Sequence, residues 1–440
     1  MTPATQTITA DVAIVGGGAA GLATAIALAR SLRQVVVIDA GSPRNRTSAH
    51  ARNVLGHEGI NPLDLVAKGR QEAEGYGVTF IDATVTGAQS TDTEAARPHQ
   101  ENAPTGGHSP AKSAPTVTGS HSAPAEAAPT VTGTHSAPSE AAPTETGTHS
   151  APAEAAPTHR FILDTTAGTR VTAQHVVIAT GITDELPEIP GLAEGWGDTV
   201  LHCPYCHGYE VRGQSIGIIG TTALSYHQAM MFSQLSDRVT FIRHAAPNPT
   251  PEQAAMLDAL GIAFVDAQID AVHRTASGTE VTLRSAAGAS SINRPSADRS
   301  HATASEVAGA PSHATASDDR AVSDTTAAGF TAPEVTAAPE HGAAASDDTA
   351  SAITLDALVV GPFFRANGEV FSQLGGSVVE DPSGMGSSIT ADPTGRTDIP
   401  GVWAVGNVAD MSAMLGASAA SGVRAGAMIN YELIQSALAG

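Results

Sequence analysis

The sequence holds only two cysteines in 440 residues, and both lie in one short stretch, "LHCPYCHGYE", Leu201 to Glu210. Basic side chains are scarce as well. Its 22 Lys+Arg stand against 44 Asp+Glu, a formal charge of -22 that repels nucleic acid and anionic membranes. Neither is expected as a partner. No apolar run reaches membrane-spanning length, and "MTPATQTITADVAIVGG" enters an apolar strand without a basic n-region, an apolar h-region or a small-residue cleavage site. The expected location is cytoplasmic. In that reducing setting an isolated cysteine pair points to catalysis or metal binding rather than to a structural staple. Haem attachment through Cys-x-x-Cys-His, which requires export, loses most of its support.

Large apolar side chains are also missing from two long tracts. Residues from about 91 to 158 and from about 286 to 350 are mostly Ala, Pro, Thr, Ser, Gly and His, with repeats such as "SHATAS" at Ser300 and Ser312. Such segments have nothing to bury against their ordering entropy, so both are expected to be disordered inserts. They account for an aromatic content of only 4%.

What remains carries an internal echo. "DVAIVGGGAAGLATAIALARSLRQVVVIDAG" reads as strand, Gly-rich turn, helix and second strand, and "QSIGIIGTTALSYHQAMMFSQLSDRVTFIRH" has the same layout. Each unit continues into a period-2 strand, "GVTFIDATVTGA" or "GIAFVDAQIDAVH", and later into an apolar strand ending in small residues, "QHVVIATG" or "LDALVVGP". The expected fold class is α/β, with two doubly wound Rossmann-type domains and the inserts at hairpin tips. The first domain is expected at 8–90, 159–196 and 362–440, interrupted by a central domain at 197–285 and 351–361.

The strongest local signal is Gly16-x-Gly18-x-x-Gly21, directly after the strand "DVAIV" and opening a helix, with Asp39 closing the next strand. Gly16 permits the tight turn, Gly18 lets a pyrophosphate approach the backbone, and Gly21 lets helix and strand pack closely. Asp39 can accept a bond from a ribose hydroxyl. A dinucleotide is expected here.

The Cys-x-x-Cys by itself admits several readings: haem attachment, a zinc knuckle with His202 and His207, the "CPYC" of glutaredoxin-like domains, or the redox disulfide of a flavoenzyme. Two further segments bear on the choice: "VVIATG", ending in Thr180-Gly181, and "DPTGRTDIPGVWAVGN", ending in Gly406-Asn407. With these the chain resembles the pyridine nucleotide-disulfide oxidoreductases, and within them the low-molecular-weight thioredoxin reductases.

The resemblance covers nearly everything outside the inserts and implies FAD as cofactor. Gly406 and Asn407 would hold its ribityl chain, although the family usually has Asp at the second position. An amide oxygen can still accept a hydroxyl there. A helix from near Ser412 would aim its N-terminus at the flavin. Asn53, in "NRTSAHARNVLGHEG" beside Asn45 and His50, lies where the family's chain wraps near the flavin ring.

The family also carries its redox pair just before the second Gly-rich unit, where Cys203 and Cys206 stand. By this analogy Cys206 faces the flavin and Cys203 exchanges with a partner thiol. His207 occupies the place of a proton-shuttling Asp and can do the same work, since imidazole titrates near neutral pH. A glutaredoxin reading fails because "VRGQSIGIIG" starts a strand where that motif needs a helix. Zinc would need four ligands from six consecutive residues, a poor tetrahedron, so no metal is expected.

The second Gly-rich turn departs from the reductase pattern. Thr222 and Ser225 replace the second and third glycines, and Arg243 and His244 stand where NADPH-using members have an Arg-rich stretch. NADPH remains a candidate cofactor with a degraded site. The same combination marks a sub-branch of the family, the dithiol oxidases that close disulfides in gliotoxin- and holomycin-type natural products. That likeness implies electron flow from a substrate dithiol through Cys203-Cys206 and FAD to oxygen. The alternatives are an NADPH-dependent thioredoxin-disulfide reductase and a non-catalytic redox-sensing flavoprotein. The implied partners are a thioredoxin-like protein or a small-molecule dithiol or disulfide, and a second copy of the chain in a homodimer.

Overall fold

A run of Val12, Ala13, Ile14 and Val15 has no polar alternation, and it is buried on both faces, as a central parallel strand must be. It forms the end of β1 (Gln6–Val15) in the computed structural model, which describes residues 6–91, 159–276, 278–285 and 351–439. Apart from Thr91, the tracts expected at 91–158 and 286–350 lie outside the described residues.

The chain continues through α1 (Ala19–Ala29), β2 (Val35–Asp39), α2 (Pro62–Gly75) and β3 (Thr79–Asp82), so that β2 lies parallel to β1 and β3 parallel to β2. Asn61 starts α2 by accepting the Leu63 N–H at 2.8 Å, with Pro62 at the first helical position. Three antiparallel strands follow: β4 (Val85–Ser90), β5 (Phe161–Thr165) and β6 (Thr169–Ile178). β6 then returns alongside β1 in parallel register. Ser90 faces Phe161, and the Thr91 N–H reaches the Arg160 carbonyl at 2.7 Å, so the first tract leaves and re-enters at a hairpin stem.

The middle of the chain repeats this plan. It comprises β7 (Ile182–Glu185), β8 (Val200–Leu201), α3 (Pro204–His207), β9 (Ile216–Ile219), α4 (Ser225–Phe232) and β10 (Val239–Ile242). Next come α5 (Pro251–Leu260), β11 (Ala263–Val265), β12 (Ala267–Thr275), β13 (Gly278–Ser285), β14 (Ser351–Leu355) and β15 (Ala357–Val360). β13 and β14 pair antiparallel on either side of the second tract. The final part holds β16 (Phe363–Ala366), α6 (Glu369–Gln373), β17 (Val378–Glu380), β18 (Ser387–Ile389), β19 (Val402–Ala404) and α7 (Leu415–Ala439).

The first sheet runs β3-β2-β1-β6 with β19 beside β6, and the second runs β11-β10-β9-β15-β8. These are the same five-strand order, and both are doubly wound. The two-Rossmann α/β architecture expected from the internal echo is the one observed. Among the described residues no helix is long and apolar enough to cross a membrane.

Residues 186–196, grouped with the first domain on sequence, pack elsewhere. Ile189 and Leu192 are buried, and with Trp196 they join Val200, Ile219 and Leu358 in the core of the second sheet. The Val272 N–H also donates to the Pro190 carbonyl at 2.8 Å. Apolar side chains follow the nearest apolar surface, and for this segment that surface is the central one.

The first domain depends on a close approach of α7 to α1. A Cβ on Gly422 would lie 2.2 Å from the Ala20 carbonyl oxygen, and one on Gly426 2.9 Å from the Ala27 Cβ. Gly422→Ala must push α7 away from α1, at a cost of about 1–3 kcal/mol. Thermal unfolding should report a lower Tm, and an unchanged Tm would show that the two helices have slack.

Candidate redox site

The expected cofactor residues meet at the carboxyl ends of β1, β2, β6 and β19, the edge at which doubly wound sheets bind their ligands. Gly16 has φ +108, and a Cβ there would sit 2.4 Å from the Ala179 carbonyl oxygen. At Gly21 a Cβ would approach the Gly16 carbonyl to 1.9 Å. Those two glycines are demanded by the fold. Gly18 differs: its φ of -77 suits any residue, and a Cβ on it meets no atom within 4 Å. The missing side chain leaves open space in front of the N-terminus of α1, which no side chain caps. Asp39, at the end of β2, holds the turn by accepting the Gly17 N–H at 2.9 Å.

Thr180 and Gly181 are fastened to the chain beyond β16. The Thr180 hydroxyl donates to the Asn367 carbonyl at 2.6 Å, and the Asn367 N–H to the Gly181 carbonyl at 3.1 Å. Gly406, with φ +71, would drive a Cβ to 2.7 Å from that of Ala20, so it abuts the first Gly-rich turn. Asn407 donates its amide to the carbonyls of Asp410, Met411 and Ala413 at 3.1, 3.3 and 2.8 Å. A carboxylate could not donate to any of them, which gives the departure from Asp a local reason. α7 starts at Leu415 rather than near Ser412, because the Asp410 carboxylate ties back the Ser412 N–H and hydroxyl in a turn (2.9 and 2.6 Å).

Cys203 sits at the N-cap of α3, with Cys206 and His207 in its single turn. The Cys206 thiol donates to the Cys203 sulfur and holds the Cys203 pKa down; burial opposes this, while the Cys206 and Tyr205 N–H groups and Arg44 assist. Cys206 is pushed up by the same contact, by burial and by the neighbouring thiolate. Thiolate character is thus favoured at Cys203, at the N-cap, over Cys206 within the turn. Burial also lowers the His207 pKa, opposed by Glu210 and aided by Arg52. His202 is pushed down to about 4 by burial, and it packs edge-on against Phe364 with ring centroids 5.0 Å apart. His202 is thus packed against Phe364, while Nε2 of His207 meets the Ser48 hydroxyl at 3.0 Å.

Asn53, expected beside the cofactor, donates its amide to the Tyr205 carbonyl at 2.7 Å and so grips the Cys-x-x-Cys turn. Three residues of the site carried no sequence signal. Arg44 makes a two-pronged bond to Asp184 (2.9 and 2.7 Å), reaches the Asn407 oxygen at 3.4 Å and lies 5.1 Å over the Phe364 ring. Ser48 meets His207 as above. Arg52 pairs with Glu210 at 2.9 Å. The sequence offers only their position in the long stretch after β2.

The profile of the pyridine nucleotide-disulphide oxidoreductases matches residues 10–285, which spans the first Gly-rich turn, the cysteine pair and most of the central domain. The chain belongs to this family. Among curated relatives, the oxidoreductase is 25% identical over 238 residues to thioredoxin reductase tcpT of Claviceps purpurea, covering 52% of this chain and 54% of that protein. It is 29% identical to thioredoxin reductase aclD of Aspergillus oryzae, covering 48% and 47%. The chain thus spans about half the length, or less, of the first curated relatives it matches.

Among solved structures, HlmI superimposes with a TM-score of 0.63 at 26% identity over 98% of this chain and 94% of its own. A putative thioredoxin reductase TrxB from Bacillus anthracis shares the fold, with a TM-score of 0.62 at 16% identity over 97% and 99%. The family is FAD-binding and NADPH-using, and the open cradle at Gly18 fits the oxidoreductase to a dinucleotide.

Gly18→Val tests that fit. It should leave secondary structure intact, since its Cβ meets no protein atom, but the purified protein should lose its FAD absorbance. Retention of a full complement of FAD would refute the cradle. The thiol assignment has its own readout: alkylation of the reduced protein should fall on Cys203, with a pH midpoint well below the ordinary cysteine value of about 8.5. Labelling centred on Cys206 would reverse the order of the pair.

Proposed function

We propose that the oxidoreductase is an FAD-dependent thiol-disulfide exchanger of thioredoxin reductase type that oxidises a dithiol substrate, with oxygen as the final acceptor. FAD would be held by the turn Gly16 to Gly18 and the α1 N-terminus at its pyrophosphate, by Asp39 at a ribose, and by Thr180, Gly181, Gly406 and Asn407 along the edge of the sheet. When bound, it accepts the electron pair of the reduced cysteines and delivers it onward. The other steps belong to the chain. A substrate thiol gives its proton to His207 and attacks the Cys203 sulfur of the Cys203-Cys206 disulfide, releasing Cys206 as thiolate. The second substrate thiol, losing its proton to the Cys206 thiolate, then attacks the substrate sulfur of the mixed disulfide and breaks its bond to Cys203, so that the substrate leaves oxidised and both cysteines are left reduced. Asn53 steadies the turn that presents them.

The observation that carries the direction of flow is the second Gly-rich turn. Gly220 keeps the tight-turn role, since a Cβ there would lie 2.6 Å from the Arg243 carbonyl. The N–H groups that a phosphate would use are taken from within: the Ser225 hydroxyl accepts those of Thr221 and Thr222 at 3.0 and 3.3 Å, and the Thr222 hydroxyl accepts that of Leu224 at 3.2 Å. Arg243 is likewise committed, to the Asp266 carboxylate and the Ala246 carbonyl. A nicotinamide dinucleotide would have to displace all of these, which supports a substrate dithiol as the electron donor.

The names of the relatives favour a second reading, an NADPH-dependent thioredoxin-disulfide reductase working in the opposite direction. Anaerobic stopped-flow absorbance separates the two. A small dithiol should bleach the flavin rapidly and Cys203→Ser should prevent it, while NADPH should act slowly or not at all. Rapid, saturable bleaching by micromolar NADPH would establish the reductase reading instead.

A further inference from the structure

The segment after β2 reaches the Cys-x-x-Cys turn at three points. Asn53 holds the Tyr205 carbonyl at 2.7 Å, Arg52 holds Glu210 at 2.9 Å, and the Ser48 hydroxyl lies 3.0 Å from Nε2 of His207. Ser48 itself is buried and fixed: its N–H donates to the Asn45 carbonyl at 3.1 Å, while the loop beyond is closed by Ala51 N–H to Ile60 carbonyl (2.7 Å) and Gly59 N–H to Ala51 carbonyl (2.9 Å).

The hydroxyl has one proton and three polar neighbours. The His50 carbonyl, 2.9 Å away, can only accept, and the His50 N–H, at 3.4 Å, can only donate. If the hydroxyl proton turned to His207, the Ser48 bond to that carbonyl would be lost and the two oxygens would face each other without a proton between them. The proton therefore goes to His50, and Nε2 of His207 must be the donor to Ser48. Nδ1 is left with its lone pair.

We propose that Ser48 is a positioning residue that fixes His207 in the Nε2–H tautomer and keeps Nδ1 as the base that receives the substrate thiol's proton. This rests on the reading of His207 as the proton carrier. In the step it serves, the substrate S–H bond breaks and its proton becomes Nδ1–H. The sulfur lone pair forms a bond to Cys203, and the Cys203-Cys206 bond breaks to leave the Cys206 thiolate. The imidazolium so formed donates a charge-assisted bond from Nε2–H to the Ser48 oxygen, which stabilises the protonated ring. The charged groups facing that ring are Glu210, on the turn after α3, and Arg52, which bridges Glu210 and, at 3.8 Å, Glu58; the two thiols share its helix.

The sign of the pH effect follows. The base works only when neutral, so dithiol turnover rises with pH through the His207 pKa. Ser48→Ala removes an acceptor that favours the charged ring, so the acid limb should move to lower pH, and the plateau of kcat/KM should fall about tenfold to a hundredfold. Ser48→Thr, which keeps the hydroxyl, should restore both.

Nitrogen-15 NMR of histidine-labelled protein gives a readout independent of turnover, with the His207 signals identified by their loss in His207→Gln. Wild type and Ser48→Thr should show a protonated Nε2 and an unprotonated Nδ1, and Ser48→Ala a mixture. A wild-type signature with the proton on Nδ1, which needs no variant to fold, would overturn the assignment of Ser48 alone. An acid limb and tautomer unchanged in Ser48→Ala would do the same. Unimpaired dithiol turnover in His207→Gln would instead remove the proton-carrier reading, and the role of Ser48 with it.

Discussion

The architecture turns on how closely backbone can approach backbone where β1 ends. Gly21 stands over Gly16, Gly16 stands over Ala179, and Gly406 and Gly422 press the far end of the chain against the opening of α1. These contacts draw segments hundreds of residues apart in sequence to one edge of the sheet, where the residues expected to hold the cofactor meet. A side chain at most of these positions would separate α1 from β1, β6 from β1, or α7 from α1. Gly18 is the exception, because nothing in the protein requires it.

Arg44 joins that edge to the sulfur chemistry. Its guanidinium is shared between Asp184 and the Asn407 oxygen and covers the Phe364 ring, against which His202 packs edge-on. The positive charge helps hold both thiols toward the thiolate and His202 toward neutrality. One half-buried cation thus helps to stabilise a thiolate while tying the segments of Asp184 and Asn407 together.

Local chemistry was legible in the sequence, and long-range chemistry was not. The glycines at 16, 18 and 21, the alternation of helix and strand, and the cysteine pair announce themselves because each depends on neighbours a few residues away. The duplicated succession of strands and helices along the chain was readable for the same reason. Arg44, Ser48 and Arg52 lie in a stretch without periodicity, and only the folded chain shows that they meet Asn407, His207 and Glu210. Asn53 was expected near the flavin ring, and its amide serves the Cys-x-x-Cys turn. Asn407 looked like a weakened Asp, whereas three carbonyls around its nitrogen require an amide. The packing of residues 186–196 was hidden because Ile189 and Leu192 could have joined either core.

The self-capped turn at Gly220 also bears on how readily a binding site is gained or lost. Strand order, crossover helix and the first glycine are all kept, and the N–H groups of the turn are met by two hydroxyls, those of Thr222 and Ser225, each bonded to donors within its own loop. The sheet would not have to change for such a turn to gain or lose its caps. A scaffold of this kind separates stability from specificity: its core is committed, while the hydroxyls that satisfy the turn bond to donors of that same turn.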